Sequence, residues 1–164
     1  EAATRHLRQK GGYKNVYMEQ LYTFSNTKRD PRGRVVSVAY LALIPFKRAK
    51  LSWGKEVEWL AVDSLPKLAY DHNEIVRAAV ERLRSRFAYT NIVQHLLPYA
   101  FTLTELQHMY EVVLGRKLDK RNFRKKILEL HLTKKMRQRR GGEANRPAQL
   151  YTFKTKKLQA VEIL

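Results

Sequence analysis

The chain has no cysteine among its 164 residues, which excludes disulfide staples and thiolate metal sites and fits a reducing interior. It has no apolar run long enough to cross a bilayer and no signal-peptide pattern at its start, so it reads as cytoplasmic and not membrane-bound. Internal repeats and low-complexity tracts are also missing. The five histidines (His6, His72, His95, His108 and His131) never fall at metal-ligand spacing. There is no Ser-His-Asp signature, no phosphate-cradling glycine loop and no paired acidic motif. Negative charge is scarce as well, with 15 Asp and Glu against 33 Lys and Arg and a net charge of +18. An excess of that size points to a polyanionic partner, nucleic acid or an anionic surface, and by itself fixes no fold.

What is present is globular material. Hydrophobic residues make up 44% of the chain, enough to build one large domain or two small ones. Residues 2–7, with Ala2, Ala3 and Leu7, predict a helix. "KNVYMEQLYTF" alternates bulky strand formers, "SNTKRDPRG" is turn chemistry, and "RVVSVAYLALIP" is a β-branched strand stopped by Pro45. Together they predict an antiparallel hairpin. "EVEWLAVDSLP" predicts another strand. A helix follows, with Asn73 as its N-cap and Ile75, Ala79, Val80 and Leu83 on one face. "YTNIVQHLLPYA" reads as a linking segment, apolar enough to be partly buried and broken by Pro98.

The last part has a different character. Thr102-x-x-Glu105 is a capping-box spacing, followed by Leu103, Leu106, Tyr110, Val113 and Leu114 at helical intervals and by Gly115 as a stop. Asp119 caps a second helix with the stripe Phe123, Ile127 and Leu130. Then come "HLTKKMRQRR", a loop "GGEANRPA" and a strand-like "QLYTFK". The fold class is α+β, with a boundary expected between residues 1–88 and 89–164.

Between Arg116 and Arg140 there are 12 Lys and Arg against 2 Asp and Glu. At about 100° per residue, Arg121, Lys125 and Glu129 lie opposite the apolar stripe. The plain alternative is a solvated charged face, which most such faces are. That alternative would need two capped helices at turn spacing, a basic second helix and a basic hairpin to coincide without purpose. The order helix, turn, basic helix, basic hairpin is that of a winged helix-turn-helix, whose second helix enters the major groove. On this reading Arg121, Asn122 and Lys125 face bases, while Arg116, Lys117, Lys120 and Arg124 face phosphates. Lys134, Lys135, Arg137, Arg139, Arg140 and Arg146 form the wing. Trp53 and Trp59 could stack a base, although buried structural tryptophans are commoner.

"EAATRHLRQKGGY" followed by "NVYMEQLYTFSNTKRDPRGRVVSVAYLALIP" resembles the second half of a Nudix domain. That family's box reads R-E-U-x-E-E-x-G-U, with U aliphatic and glutamates that hold magnesium. Aligned here, Arg5, Leu7 and Gly12 match, whereas His6, Gln9 and Lys10 stand in the glutamate positions. A lysine in a ligand position repels a hard cation, so the alignment implies no hydrolysis. "DSLPKLAYDHNEIVRAAVERLRSRFAYT", "HLLPYAFTLTELQHMYEVVLGRKLDKRNFRKKIL" and "RPAQLYTFK" extend the match to the Nudix-related regulators of bacterial NAD metabolism, the NrtR family. The resemblance implies a Nudix-like sensor joined to a winged helix. It also implies a homodimer on a palindromic double-stranded DNA operator, acting as a transcriptional repressor and released by ADP-ribose or a related nucleotide, with no cofactor. For that nucleotide the candidates are Arg29, Arg32 and Arg34, with Tyr22 or Phe24 for stacking. Two other functions stay in play: an active ADP-ribose pyrophosphatase with an accessory basic domain, and an RNA-binding module.

Overall fold

In the computed structural model, which describes residues 2–45, 59–142 and 145–164, the chain divides into two units, Glu1–Arg82 and Leu83–Leu164. Trp53 lies outside the described residues.

In the first unit, α1 (Ala2–Gly11) stops at Gly12. This residue takes φ +65° and donates its N–H to the Arg8 carbonyl at 3.0 Å, a left-handed cap that a Cβ would strain. The expected hairpin forms from β1 (Tyr17–Phe24) and β2 (Ser37–Leu43), paired from Tyr17↔Leu43 to Phe24↔Ser37. Its register slips between Gln20 and Tyr22, leaving Leu21 as an extra residue whose side chain is 5% exposed. Val38 and Tyr40 are exposed on one face of β2, and Tyr22, paired with Ala39, is exposed as well. In the connecting loop, Asn26 accepts from the Lys28 N–H and Asp30 from the Arg32 N–H; short polar side chains of this kind replace a ladder in turns.

Two expectations fail in this unit. The strand sought in "EVEWLAVDSLP" is absent from its described part: residues 59–64 are exposed, and Val62–Ser64 is a 3-10 turn. Alternation suggests a strand only where one face is buried, and here neither is. Asn73 does not cap α2 (His72–Tyr89). The Asp71 carbonyl accepts from Glu74 and Ile75, while the Asn73 side chain accepts from the Leu68 N–H and donates to the Pro66 carbonyl. Helical side chains lean toward the N-terminus, so a residue already inside the first turn pins the incoming chain. Arg82, on α2, donates to the Leu21 carbonyl at 3.1 Å and pairs with Glu19 at 3.5 Å.

The second unit takes Phe87, in the last turn of α2, into its core at 0% exposure. The segment read as a linker is core too. Ile92 and Val93 are buried on a 3-10 turn, Thr90 bridges to Ala160, and Asn91 bonds Lys157 and Gln159. The C-terminal segment lies alongside, with the Val161 N–H on the Tyr89 carbonyl and the Ile163 N–H on the Ala88 carbonyl. Around this core stand α3 (Leu103–Leu114), α4 (Lys120–Glu129), and a second hairpin of β3 (Thr133–Gly142) and β4 (Asn145–Phe153). Tyr110 is sandwiched by Phe87 and Phe123 at ring separations of 5.0 and 5.2 Å. The loop expected over "GGEANRPA" is shorter, because pairing continues to Gly142↔Asn145.

Candidate nucleic-acid interface

The α3–α4 pair is built by its caps. Thr102 and Glu105 form the full reciprocal box at the start of α3, and Gly115 ends it at φ +68°. Glu111, one turn before that end, organises the turn that follows. Its carboxylate accepts from the Leu118 N–H, from Gln107 and from Lys117, in that order of effect on a pKa held below the usual carboxylate range. Gln107 also donates to the Leu118 carbonyl. The turn is therefore clamped at both backbone groups of Leu118 before α4 begins. Asp119 then caps α4 through the Asn122 N–H at 2.7 Å.

On α4, Phe123 and Ile127 are buried, while Lys120, Arg121, Asn122 and Lys125 are exposed. Lys125 stands 3.9 Å from Glu129. Arg124 is half-buried and donates to the Thr104 hydroxyl at 2.9 Å, with its Nε enclosed and without a partner among the described residues. Arg116 is exposed, and Lys117 is drawn to Glu111 at 3.3 Å. Lys126, also exposed, was missed by the sequence reading, as it lies on a flank between the two faces.

On the hairpin, Lys134, Lys135, Arg137 and Arg139 are exposed. Arg140 is turned back to Glu105 at 2.6 Å and to the Ala100 carbonyl at 3.2 Å. Arg146 lies on β4, with its side chain outside the described residues. Phe101 exchanges both backbone hydrogen bonds with Tyr151, a single β-bridge at the base of the hairpin. The result is a rigid frame carrying two sets of open cations, a helix face and a hairpin. Such a surface binds phosphate through charge and can present Arg, Asn and Lys to base edges.

The nucleotide candidates in the first unit are placed differently. Arg29 is 6% exposed in a two-bond pair with Asp71 at 2.8 and 2.9 Å. Arg32 pairs with Asp30 and lies over the Tyr70 ring at 5.3 Å. The Arg32 side chain and N–H hold the Asp30 carboxyl at about 2. The pair's stabilisation is thus full above the ordinary value of 3.8 and is lost as pH falls through about 2. Tyr22 and Arg34 are exposed, and Phe24 meets Tyr22 edge-on at 5.3 Å. A cleft of about 480 Å³ is lined by Asn26, Lys28, Arg29, Pro31, Tyr70, Asp71 and Glu74. A second, of about 200 Å³, shares Arg29 and Tyr70 and adds Asp30, Arg32, Val35, Ser37 and His72. Neither includes Tyr22, Phe24 or Arg34. Tyr70 holds φ +54° between the two clefts, an uncommon conformation for a bulky residue.

Comparison with known proteins places this geometry. The model of the NrtR DNA-binding winged helix domain matches residues 93–153. The ADPR responsive transcriptional repressor NtrR of Acinetobacter baylyi is 39% identical over 155 residues, covering 92% of this chain and 62% of the repressor. The chain therefore spans less than two thirds of that relative's length. The crystal structure of Shewanella oneidensis NrtR complexed with a 27mer DNA superposes with a TM-score of 0.79 at 33% identity, over 92% of this chain and 70% of that one. A MutT/nudix family protein from Enterococcus faecalis matches at TM-score 0.68 and 27% identity, over 93% and 68%. The fold is α+β, Nudix-like elements followed by a winged helix.

Proposed function

The chain belongs to the NrtR family, and from that premise we propose that it is a transcriptional repressor that binds duplex DNA and releases it on binding ADP-ribose or a related nucleotide. The observation that carries this reading is the exposed cationic face of α4, with Arg121, Asn122 and Lys125 open while Phe123 and Ile127 anchor the helix from behind. A helix so mounted can enter a major groove without unfolding anything. Its partners on this reading are an operator among genes of NAD metabolism and a second copy of the chain, with two recognition helices set one DNA turn or a multiple apart. A cytoplasmic setting fits that work. Among the described residues no helix is long and apolar enough to cross a membrane.

The reading includes the absence of pyrophosphate hydrolysis. His6, Gln9 and Lys10 lie on α1 where a Nudix box has its glutamates. Magnesium needs anionic oxygen ligands, which these residues do not offer. For the nucleotide, the clefts beside Arg29 and Tyr70 are the better-shaped candidates. Arg29 is already held by Asp71, so a bound diphosphate would compete with that carboxylate.

A ligand displaces DNA only by binding one arrangement of the protein better than another. The test is titration of the protein on a duplex that it selects from a random-sequence pool, with and without ADP-ribose and magnesium. Weaker binding at saturating ADP-ribose, with no AMP or ribose 5-phosphate formed, is the expected result. Unchanged affinity sinks the sensing role, and steady turnover restores the pyrophosphatase.

A further inference from the structure

We propose that Arg140 is a positioning residue for the wing, acting with Glu105 as a strut, and that it is not one of the phosphate-binding cations its sequence context suggests. The proposal rests on the duplex-binding reading above, and it starts from how one carboxylate is shared. Glu105 Oε2 accepts the Thr102 N–H at 2.7 Å, completing the α3 cap, while Oε1 accepts Arg140 Nη1 at 2.6 Å. The other end of the guanidinium, Nη2, reaches the Ala100 carbonyl at 3.2 Å. Both arms of the fork are therefore engaged at the start of α3, in a side chain that is still 46% exposed.

The hairpin needs such a tie at that place. Cross-strand pairing runs Thr133↔Phe153 to Lys135↔Tyr151, then skips to Arg139↔Gln149. Met136, Arg137 and Gln138 lie in the break, where the Gln149 side chain donates to the Met136 carbonyl at 2.7 Å. Below the break the sheet is fixed by the exchange between Phe101 and Tyr151. Beyond it, among the described residues, Arg140 is the side chain that returns to α3. An irregularity of this kind bends a hairpin and increases its twist, so the distal wing needs an outside restraint to hold one direction. Arg140 and Glu105 supply it, and their charges cancel locally. Arg137, exposed within the break, and Arg139, exposed just beyond it, are left to face phosphate.

The strut makes a prediction opposite to that of charge alone. Glu105→Gln removes a negative charge from a DNA-binding unit, which by electrostatics should tighten binding. It keeps the cap, because Gln serves in a capping box as well as Glu. If the pair positions the wing, Glu105→Gln weakens duplex binding, by about five-fold on the scale of a well-formed surface pair. Arg140→Gln does the same, and the double variant loses no more than Arg140→Gln alone. A second readout separates strut from phosphate ligand. Each neutralised phosphate contributes about −0.9 to the slope of log affinity against log salt, so Arg140→Gln should leave the slope unchanged. A third needs no DNA: in both single variants, amide exchange at residues 137–141 quickens while the α3 core stays protected.

Tighter binding by Glu105→Gln, or a slope reduced by about one unit in Arg140→Gln, would overturn the strut. So would unaltered exchange in the wing. Should the wild-type protein select no duplex at all, the repressor reading falls, and the exchange measurement still decides whether the strut exists.

Discussion

Arg29, Arg124 and Lys125 carry the same charge and do three different things. Arg29 is enclosed against Asp71, Arg124 is half-buried against Thr104, and Lys125 stands in solvent near Glu129. Charge was legible from composition; the neighbour was not, because Asp71 is 42 positions from Arg29 and Thr104 is 20 from Arg124. The same holds for Tyr110, read correctly as an apolar position of α3. Its ring is wholly buried, and its hydroxyl has no hydrogen-bond partner among the described residues. Burial pushes its pKa above the ordinary tyrosine value. A buried hydroxyl without a partner carries a desolvation penalty of about 1–3 kcal/mol. Tyr110→Phe should therefore be neutral or stabilising by about 1 kcal/mol, measured as a higher denaturation midpoint. A clear loss of stability would mean that the hydroxyl is bonded.

The elements of the second unit were readable because their ends are chemically marked. Thr102, Glu105, Gly115 and Asp119 each act as the local rules require. Asp119→Ala should destabilise the unit by about 1 kcal/mol. Amide exchange in the first turn of α4 should rise, while α3, capped separately, is little changed. The turn between the helices was placed correctly, but its clamp, Glu111 with Gln107, was not foreseen. In sequence these are two ordinary polar residues of an amphipathic helix, and only their meeting with Leu118 shows their use. The segment at Thr90–Leu97, expected as a partly buried link, is more deeply buried than its own residues indicate, for a related reason. A C-terminal segment 68 positions away lies against it, bonded to Asn91 at Gln159. Asn73 and the expected strand at "EVEWLAVDSLP" failed because capping and strand patterns are weak where the chain makes a turn first.

For the molecule as a whole, the net charge of +18 makes salt the most informative variable. Affinity for a duplex should fall linearly on logarithmic axes as salt rises. Lys135→Ala, on the exposed hairpin, should reduce that slope by about one unit and weaken all sequences alike. Arg121→Ala should instead flatten the preference among sequences. A slope unaffected by Lys135 would remove the hairpin from the interface.

The amino-acid order by itself determined the first hairpin, the helices α3 and α4 with their caps, and the sidedness of α4, and it pointed to a polyanionic partner, since all of these follow from side chains within a few residues of one another. Which cations remain open, and which are held by a carboxylate or hydroxyl, was decided only by the tertiary structure. An ion pair depends on where two distant backbone segments meet, and no local pattern encodes that distance.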